Sequence, residues 1–335
     1  MKIPIPFSIT NTMLSLLTKI EVNKVSFQSI EIPPKIINNL KRQSLLKSSV
    51  FSAKIEGNTL SMMDVEKENL DDEKIYERQE IENILNALSY LQDKGLPNII
   101  DEAFLLKLHS FVLHKLVHKS KSGVLRKEPS AIFNQDGIVV YMPPPPSEVP
   151  GLISSLLHFI NNKNDLMTPI HALLTHITFE KIHPFLDGNG RVGRLLTQTL
   201  LAKDNYHFNW LISFEELLNE RKSTYYTLLD QSDATEFIEF MLEILLEESE
   251  DLKQRINLYT NPAEEDYLLP RRREILDIIK DQTIVSLNQI QRRFLKVPAR
   301  TLRYDLSQLE KQGFIRKIGT TRGAMYTIKK NKLLS

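Results

Sequence analysis

The chain has 335 residues, enough for two or three domains, and its 41% hydrophobic and 25% charged residues are ordinary for a globular protein. It contains no cysteine, which excludes disulfides, thiolate catalysis and cysteine-ligated zinc or iron–sulfur centres. The net charge of +1 conceals an asymmetry, because sixteen Lys or Arg face only five Asp or Glu from Pro270 onward. The first residues lack the apolar core of a signal peptide and no apolar run approaches a membrane span, so we expect a cytoplasmic protein with no membrane partner.

The N-terminal region, residues 1–95, is predicted to be helical because apolar residues recur at helical spacing. Within it, Ser52 and Glu56 lie four residues apart, so they share one face of a predicted helix that ends at Gly57. Glycine and proline near residue 95 interrupt the pattern and mark the end of this region.

The middle region, residues 96–260, is predicted to be a helical core interrupted by one β-hairpin. The segment 132–142 is β-prone, and Asp136-Gly137 at its centre is a strong two-residue turn signal. Prolines 143–146 then give a stiff exit, because each proline fixes φ. An exposed hairpin edge can align a target peptide by adding a strand, although a purely structural hairpin fits the same pattern.

One run of the middle region contains phosphate-binding chemistry. Residues 183–194 read His-Pro-Phe-Leu-Asp-Gly-Asn-Gly-Arg-Val-Gly-Arg. One predicted helix ends at His183 and the next begins at Gly190, and the unpaired N–H groups at such a helix start bind anions. Arg191 and Arg194 are three residues apart on its first turn, and their guanidinium groups suit phosphate oxygens.

The same run also offers a metal ligand and a base. Asp187 by itself would be a poor phosphate ligand, so we expect it to hold a Mg²⁺ ion that bridges it to the substrate. The imidazole of His183, with an unperturbed pKa of about 6.5, can accept a proton from an attacking hydroxyl. These residues predict the transfer of a phosphorus-centred group.

The run resembles, at every defining position, the HPFx[D/E]GNGRxxR signature of the Fic family, whose members move AMP from ATP to protein hydroxyls. The resemblance implies that His183 deprotonates a Ser, Thr or Tyr hydroxyl of a protein target. It also implies that Asp187 holds the Mg²⁺ on the α- and β-phosphates of ATP, and that pyrophosphate leaves.

Further nucleotide contacts are implied by the same resemblance. The phosphates would lie against Gly188, Asn189 and Gly190. Arg191 would contact the β-phosphate and Arg194 the γ-phosphate. Downstream, Tyr225 and Tyr226 resemble an aromatic segment that lines the adenine pocket of the family, but such a pair on an amphipathic helix is as readily part of a core.

Two upstream segments resemble other parts of Fic proteins. The segment from Ser52 to Gly57 resembles the inhibitory [S/T]xxxE[G/N] motif. It implies that Glu56 pairs with Arg194 and withholds this guanidinium from the γ-phosphate. The predicted hairpin, together with residues 123–126, resembles the flap of the family.

Two further patterns in the sequence would favour other kinds of site. Gly188, Gly190 and Gly193 also satisfy the G-x-G-x-x-G pattern of dinucleotide-binding folds, but they follow a predicted helix where that motif needs a strand. Histidine pairs at helical spacing occur in the chain, but no third ligand at zinc-site spacing accompanies them.

Residues 270–335 follow a boundary within 259–270 and change to the pattern of a small DNA-binding fold. Their apolar stripes predict three helices, and two alternating segments near the C-terminus predict a wing. This arrangement resembles a winged helix–turn–helix, a common C-terminal partner of Fic cores. DNA contacts are predicted for Arg300 and Arg303 on the third helix and for Arg322 in the wing, although such domains also bind proteins.

The sequence therefore predicts a mainly α protein, with a Fic-type helical core, a β-hairpin flap and a C-terminal winged helix–turn–helix domain. Its predicted function is that of a self-inhibited protein adenylyltransferase that uses ATP and Mg²⁺ on a protein target, which could be the chain itself, and it could form a homodimer. The alternative is a DNA-binding transcription regulator that uses the Fic core as a nucleotide sensor. Transfer of a phosphate or another nucleotide, or removal of AMP, also stays open.

Overall fold

The structure is a computed structural model that describes residues 1–65, 74–133, 139–162, 165–260, 268–295, 297–319 and 324–329. Contacts between residues divide the chain into two compact units, Met1–Arg255 and Ile256–Ser335. No helix in these described ranges combines the length and the apolar character needed to cross a membrane.

The first unit is built almost entirely from helices. Up to residue 260 they are α1 (Asn11–Gln28), α2 (Pro34–Ile55), α3 (Met62–Val65), α4 (Ile75–Lys94), α5 (Glu102–Val112), α6 (Val149–Asn161), α7 (Thr168–Ile182), α8 (Asn189–Lys203), α9 (Glu215–Glu220), α10 (Lys222–Asp230) and α11 (Thr235–Thr260). Two short 3₁₀ turns, Lys119–Lys121 and Phe208–Trp210, connect some of them.

Helix α7 is the centre of this unit. All of its side chains are buried, and it packs against α6 on one side and α8 on another. Its N-cap is Met167, without a side-chain hydrogen bond, and Pro169 stands in the first turn. A helix buried on every side carries apolar residues all round, and it holds the residue at its C-terminal end in a fixed place.

Helix α2, which carries Ser52 and is followed directly by its C-cap Glu56, packs against α4, α8 and α9. The predicted N-terminal region thus lies in the same compact unit as the helices of the core. The domain limits at residues 95 and 260 stay predictions.

The predicted hairpin is present as two short antiparallel strands, β1 (Ile132–Phe133) and β2 (Val139–Tyr141). Ile132 pairs with Tyr141, and the register shifts by one residue before the next pair. The predicted turn at Asp136-Gly137 lies outside the described residues.

The second unit combines three helices with a small antiparallel sheet. Its elements are α12 (Pro270–Gln282), β3 (Ile284–Ser286), α13 (Leu287–Arg293), α14 (Ala299–Lys311), β4 (Ile315–Ile318) and β5 (Met325–Ile328). The strand order is β3-β5-β4, and one apolar cluster from all three helices and the sheet fills the interior. The predicted winged helix and the mainly α fold class are confirmed.

Strand β3 was not predicted from the sequence. It spans only three residues, which is too short for an alternating pattern to be recognised. It becomes a strand because it pairs with β5 near the end of the chain.

Candidate active site

His183 directly follows α7 and has left-handed backbone angles, φ 50° and ψ 60°. This conformation is uncommon for a residue other than glycine, so the surrounding structure must enforce it. Its Nδ1 atom lies 3.3 Å from the carbonyl oxygen of Glu180. A carbonyl only accepts hydrogen bonds, so Nδ1 carries the proton and Nε2 keeps a free electron pair.

The electrostatic surroundings keep His183 neutral. Burial lowers its pKa to about 4, and the nearby positive charge of Arg126 acts in the same direction. A neutral imidazole with a free Nε2 is the form that can remove a proton from a hydroxyl near pH 7.

The loop after His183 is closed by Asn189. Its side-chain Oδ1 accepts from the N–H of Phe185 at 2.9 Å, and its Nδ2 donates to the carbonyl of the same residue at 2.9 Å. Gly188 precedes α8 with a φ of 81° and no side-chain cap, and α8 begins at Asn189, one residue before the predicted start at Gly190. The amide of Asn189 therefore shapes the loop, so any phosphate contact at this position would involve its backbone.

Asp187 lies at the exposed edge of this loop. Its Oδ1 accepts from the N–H of Gly188 at 2.6 Å and from Nη2 of Arg191 at 2.7 Å. The side chain is 53% exposed, so the carboxylate can also face an incoming ligand. Within the described residues, no group of three or more His, Asp or Glu side chains is arranged to hold a metal by itself.

Arg191 is buried between two carboxylates. Its Nη1 forms an ion pair with Glu80 of α4, and its Nη2 pairs with Asp187. The second carboxylate oxygen of Glu80 accepts from Nδ2 of Asn58 at 2.8 Å. No sequence pattern points to Glu80, because 111 residues separate it from Arg191 and only packing brings the two together.

Arg194 is held by the end of α2, as the motif at Ser52 predicted. Its Nε donates to Oγ of Ser52 at 2.9 Å, and its Nη2 donates to the carbonyl of Ser52 at 2.9 Å and to Oε1 of Glu56 at 2.8 Å. The guanidinium is only 1% exposed. Burial alone would lower the pKa of Arg194, but the Glu56 carboxylate raises it above its usual value.

Two glycines of α8 let carboxylates approach the helix closely. A Cβ atom at Gly190 would lie 2.3 Å from Oε1 of Glu56, and a Cβ at Gly193 would lie 2.1 Å from Oε1 of Glu180. The carboxylate of Glu56 thus occupies space at the first turn of α8, where the phosphates were predicted. Glu180 is a buried acid whose pKa is raised to about 8 by burial.

The tyrosine pair of α10 is divided between the core and the surface. Tyr225 is buried, and its hydroxyl lies 2.8 Å from Nε2 of His176, whose Nδ1 lies 2.8 Å from the hydroxyl of Thr197. Tyr226 is 41% exposed and donates to the carbonyl of Ile55 at 3.3 Å. The burial of Tyr225 favours the core interpretation, and the adenine contact of Tyr226 stays a prediction.

Two further side chains, those of His109 and Arg126, contact the loop after α7 and were not predicted as site residues. His109 of α5 stacks on Phe185, with ring centroids 3.8 Å apart; its Nε2 lies 3.1 Å from the carbonyl of Asp187 and its Nδ1 accepts from the N–H of Gly123. Arg126 donates through Nε to the carbonyl of His183 at 2.7 Å. Because both act on backbone carbonyls, no spacing in the sequence could identify them.

In the second unit, Arg300 and Arg303 lie exposed in the N-terminal half of α14. The neighbouring Tyr304 is 58% exposed. Both arginines are therefore accessible to solvent, and their DNA contacts stay predictions. Arg322 lies outside the described residues.

Comparison with known proteins finds two family matches along the chain. Residues 99–201 match the Fic/DOC family, and residues 271–324 match a DeoR-like helix-turn-helix domain. The chain is 25% identical over 271 residues to the protein adenylyltransferase Fic of Drosophila virilis, covering 76% of this chain and 53% of that protein. It is 26% identical over 258 residues to the protein of the same name from Drosophila mojavensis, covering 72% of this chain and 49% of that one.

The chain thus spans about half the length of these curated relatives. Its fold is similar to the crystal structure of a Fic family protein from Desulfovibrio desulfuricans G20, with a TM-score of 0.66 at 23% identity, over 98% of this chain and 99% of that one. Residues 99–201 of this chain thus match the Fic/DOC family, and a match to a DeoR-like helix-turn-helix domain follows them.

Proposed function

We propose that the chain is a protein adenylyltransferase that transfers AMP from ATP to a protein hydroxyl and that Glu56 holds its activity down. The complete signature at residues 183–194 and the names of the curated relatives support the activity. The observation that carries the regulatory part is the ion pair between Glu56 and the buried Arg194.

In the proposed reaction, Nε2 of His183 accepts the proton of the target hydroxyl. The hydroxyl oxygen then forms a bond with the α-phosphorus of ATP, and the bond from this phosphorus to the bridging oxygen of the β-phosphate breaks. Pyrophosphate leaves, and the proton stays on the imidazole until solvent removes it. The tautomer fixed by the carbonyl of Glu180 supports this role, because it leaves Nε2 unprotonated.

Asp187 fits a Mg²⁺ site that is completed by substrate. Mg²⁺ is usually bound by one or two carboxylates together with phosphates and waters. Asp187 is a single, half-exposed carboxylate at the edge of the phosphate loop, which agrees with that mode of binding. When bound, the metal would neutralise charge on the phosphates.

Glu56 opposes this reaction in two ways. It accepts a hydrogen bond from Arg194, the guanidinium that the γ-phosphate would need, and it places negative charge at the start of α8. A triphosphate entering there would meet a like charge and would have to displace a charge-assisted hydrogen bond. Wild-type protein is therefore expected to react slowly.

The test compares wild type, Glu56→Gly and Glu56→Gln after incubation with α-labelled ATP and Mg²⁺. Losing one charged hydrogen bond of ~1.5–3 kcal/mol predicts roughly 10- to 150-fold more protein-bound label. Glu82→Gln is the matched control, because Glu82 also pairs with an arginine but on the partly exposed surface of α4. Equally negligible labelling of wild type and both Glu56 variants would overturn the regulatory proposal.

Mass spectrometry of the labelled protein then distinguishes the donor chemistry. Addition of an AMP group supports the proposal, and addition of a phosphate or another nucleotide supports the other transfer reactions. Loss of AMP from a modified protein would indicate the reverse activity.

A DNA-binding transcription regulator is the second candidate, because α14 exposes Arg300 and Arg303 within the helix-turn-helix match. In this proposal the Fic core senses a nucleotide without transferring it. A His183→Ala variant separates the two: regulation of a reporter that survives the substitution favours the sensor, and loss of protein modification favours the enzyme.

A further inference from the structure

Arg126 is a buried cation that binds backbone carbonyl groups. Its side chain is 3% exposed. Nε donates to the carbonyl of His183 at 2.7 Å, Nη1 donates to that of Glu128 at 3.3 Å, and Nη2 donates to those of Pro144 and Ile182. Within the described residues no carboxylate lies within ion-pair distance of this guanidinium.

The carbonyl groups belong to three segments of the chain: the end of α7, the residues before the hairpin and the residues after it. Ile182 and His183 form the end of α7, where helical carbonyls lack intrahelical partners. Glu128 precedes the hairpin and Pro144 follows it. The backbone N–H of Arg126 also donates to the carbonyl of Pro184, at 2.9 Å. One residue therefore ties both flanks of the hairpin to the chain on either side of the imidazole.

This arrangement explains how His183 keeps its left-handed backbone. The strained φ and ψ angles persist only where neighbouring groups enforce them. The hydrogen bonds from Arg126 engage the carbonyls on both sides of the His183 Cα atom, those of Ile182 and His183 itself. The orientation of the His183 imidazole is thereby coupled to the position of the hairpin.

We propose that Arg126 is a positioning residue that sets His183 in register with the hairpin, so that a target hydroxyl presented along the hairpin meets Nε2. The inference rests on the proposed transfer reaction. Arg126 does not touch the phosphate-binding turn of α8, so its effect falls on the proton transfer and on the target, and nucleotide affinity is left unchanged.

The charged groups acting on His183 are Arg126, Glu56 and Asp187. After burial, the positive charge of Arg126 helps to lower the pKa of His183, whereas the two carboxylates raise it. Lysine at position 126 would keep the charge but could reach fewer of the carbonyls. Glutamine would remove the charge as well.

The experiment introduces Arg126→Lys and Arg126→Gln into the Glu56→Gly protein. Calorimetry measures ATP binding, initial rates give kcat and KM for the target, and circular dichroism checks folding. Arg78→Gln is the matched control, because Arg78 is an arginine of α4 that binds a carboxylate at the surface. We expect ATP affinity within about twofold of the parent and kcat lowered roughly 10- to 100-fold in both Arg126 variants, because a small misplacement of a reacting group has an effect of this size.

NMR titration of the His183 imidazole, assigned with His183→Ala, is independent of catalysis. We expect the pKa to rise in Arg126→Gln and to stay near its parental value in Arg126→Lys. An unchanged kcat in Arg126→Lys, or equal losses of ATP affinity and kcat, would overturn the positioning role. If Arg126→Gln does not fold, Arg126→Lys decides between these outcomes. Absence of AMP transfer in the Glu56→Gly parent would instead refute the proposed function, and the titration would still show whether Arg126 acts on His183.

Discussion

Two helices of the chain begin with arginines spaced three residues apart, and the two pairs have opposite surroundings. Arg191 and Arg194 on α8 are buried, and carboxylates from distant parts of the chain bind both. Arg300 and Arg303 on α14 are exposed. Both helices begin without a side-chain N-cap, so local helix chemistry does not account for the difference.

The packing of each helix accounts for the different burial of the two arginine pairs. Helix α8 packs against α2, α4, α5 and α7, so even its first turn is enclosed, and charges there require ionic partners because an unpaired buried charge is costly. Helix α14 buries one apolar stripe and leaves its other face to solvent. The same spacing thus gives a buried arginine pair held by carboxylates in one helix and a solvent-exposed arginine pair in the other.

The largest expected effect is the loss of AMP transfer when the buried Arg194 is removed. In the Glu56→Gly background, Arg194→Ala should lower kcat/KM for AMP transfer by roughly 10²- to 10³-fold, because a preorganised cation would no longer stabilise charge on the phosphates. Arg300→Ala in the same background should leave the rate within about twofold. Labelling with α-labelled ATP at equal protein concentration gives both values.

Circular dichroism is the control for this experiment, since Arg194 also contributes packing. A folded Arg194→Ala protein with undiminished transfer would show that the buried pair is structural and that the nucleotide lies elsewhere.

The pH dependence of AMP transfer separates the role of His183 from that of the arginine pairs, because His183 titrates in the accessible pH range and arginines do not. With the pKa of His183 lowered to about 4, the neutral base persists at pH 5, whereas an ordinary histidine with a pKa of about 6.5 would be about 97% protonated. We therefore expect kcat/KM of Glu56→Gly to change little between pH 7 and pH 5 and to fall below that, provided the protein stays folded. A midpoint near pH 6.5 would mean that the imidazole is exposed to solvent during the reaction.

The smallest effects are expected at the exposed pair. If α14 binds DNA, Arg300→Ala and Arg303→Ala should each lower the slope of log affinity against log salt by about one, and each should change stability by less than about 0.5 kcal/mol. Fluorescence anisotropy with a labelled duplex over a salt series measures the slope. Arg221→Ala, which removes a partly exposed arginine paired with Glu247 in the first unit, is the control.

If wild type does not bind the duplex, or if neither substitution changes its binding, a protein partner for the helix-turn-helix domain is favoured. Retained binding in Arg194→Ala would confirm that the two arginine pairs act separately.

Much of the site was predictable because its residues are adjacent in the chain. The helix end at His183, the glycine turn and the two arginines follow from local patterns over residues 183–194, and the order of helices and strands after residue 270 follows from apolar periodicity. The roles of individual side chains were less predictable. The Asn189 amide closes the loop and Tyr225 lies in the core, because each side chain is used by neighbours that the pattern does not reveal.

By itself, the sequence determined the chemistry available to this protein: an imidazole, a carboxylate and two guanidinium groups around a helix start, followed by a winged helix. The motif at Ser52 already implied that Glu56 pairs with Arg194, but only the tertiary structure decided that Glu80 binds Arg191 and that Arg126 holds the backbone of His183. The physical reason is that periodicity and turn signals act over a few residues, whereas the last two contacts join groups 111 and 57 residues apart and depend on how whole helices pack.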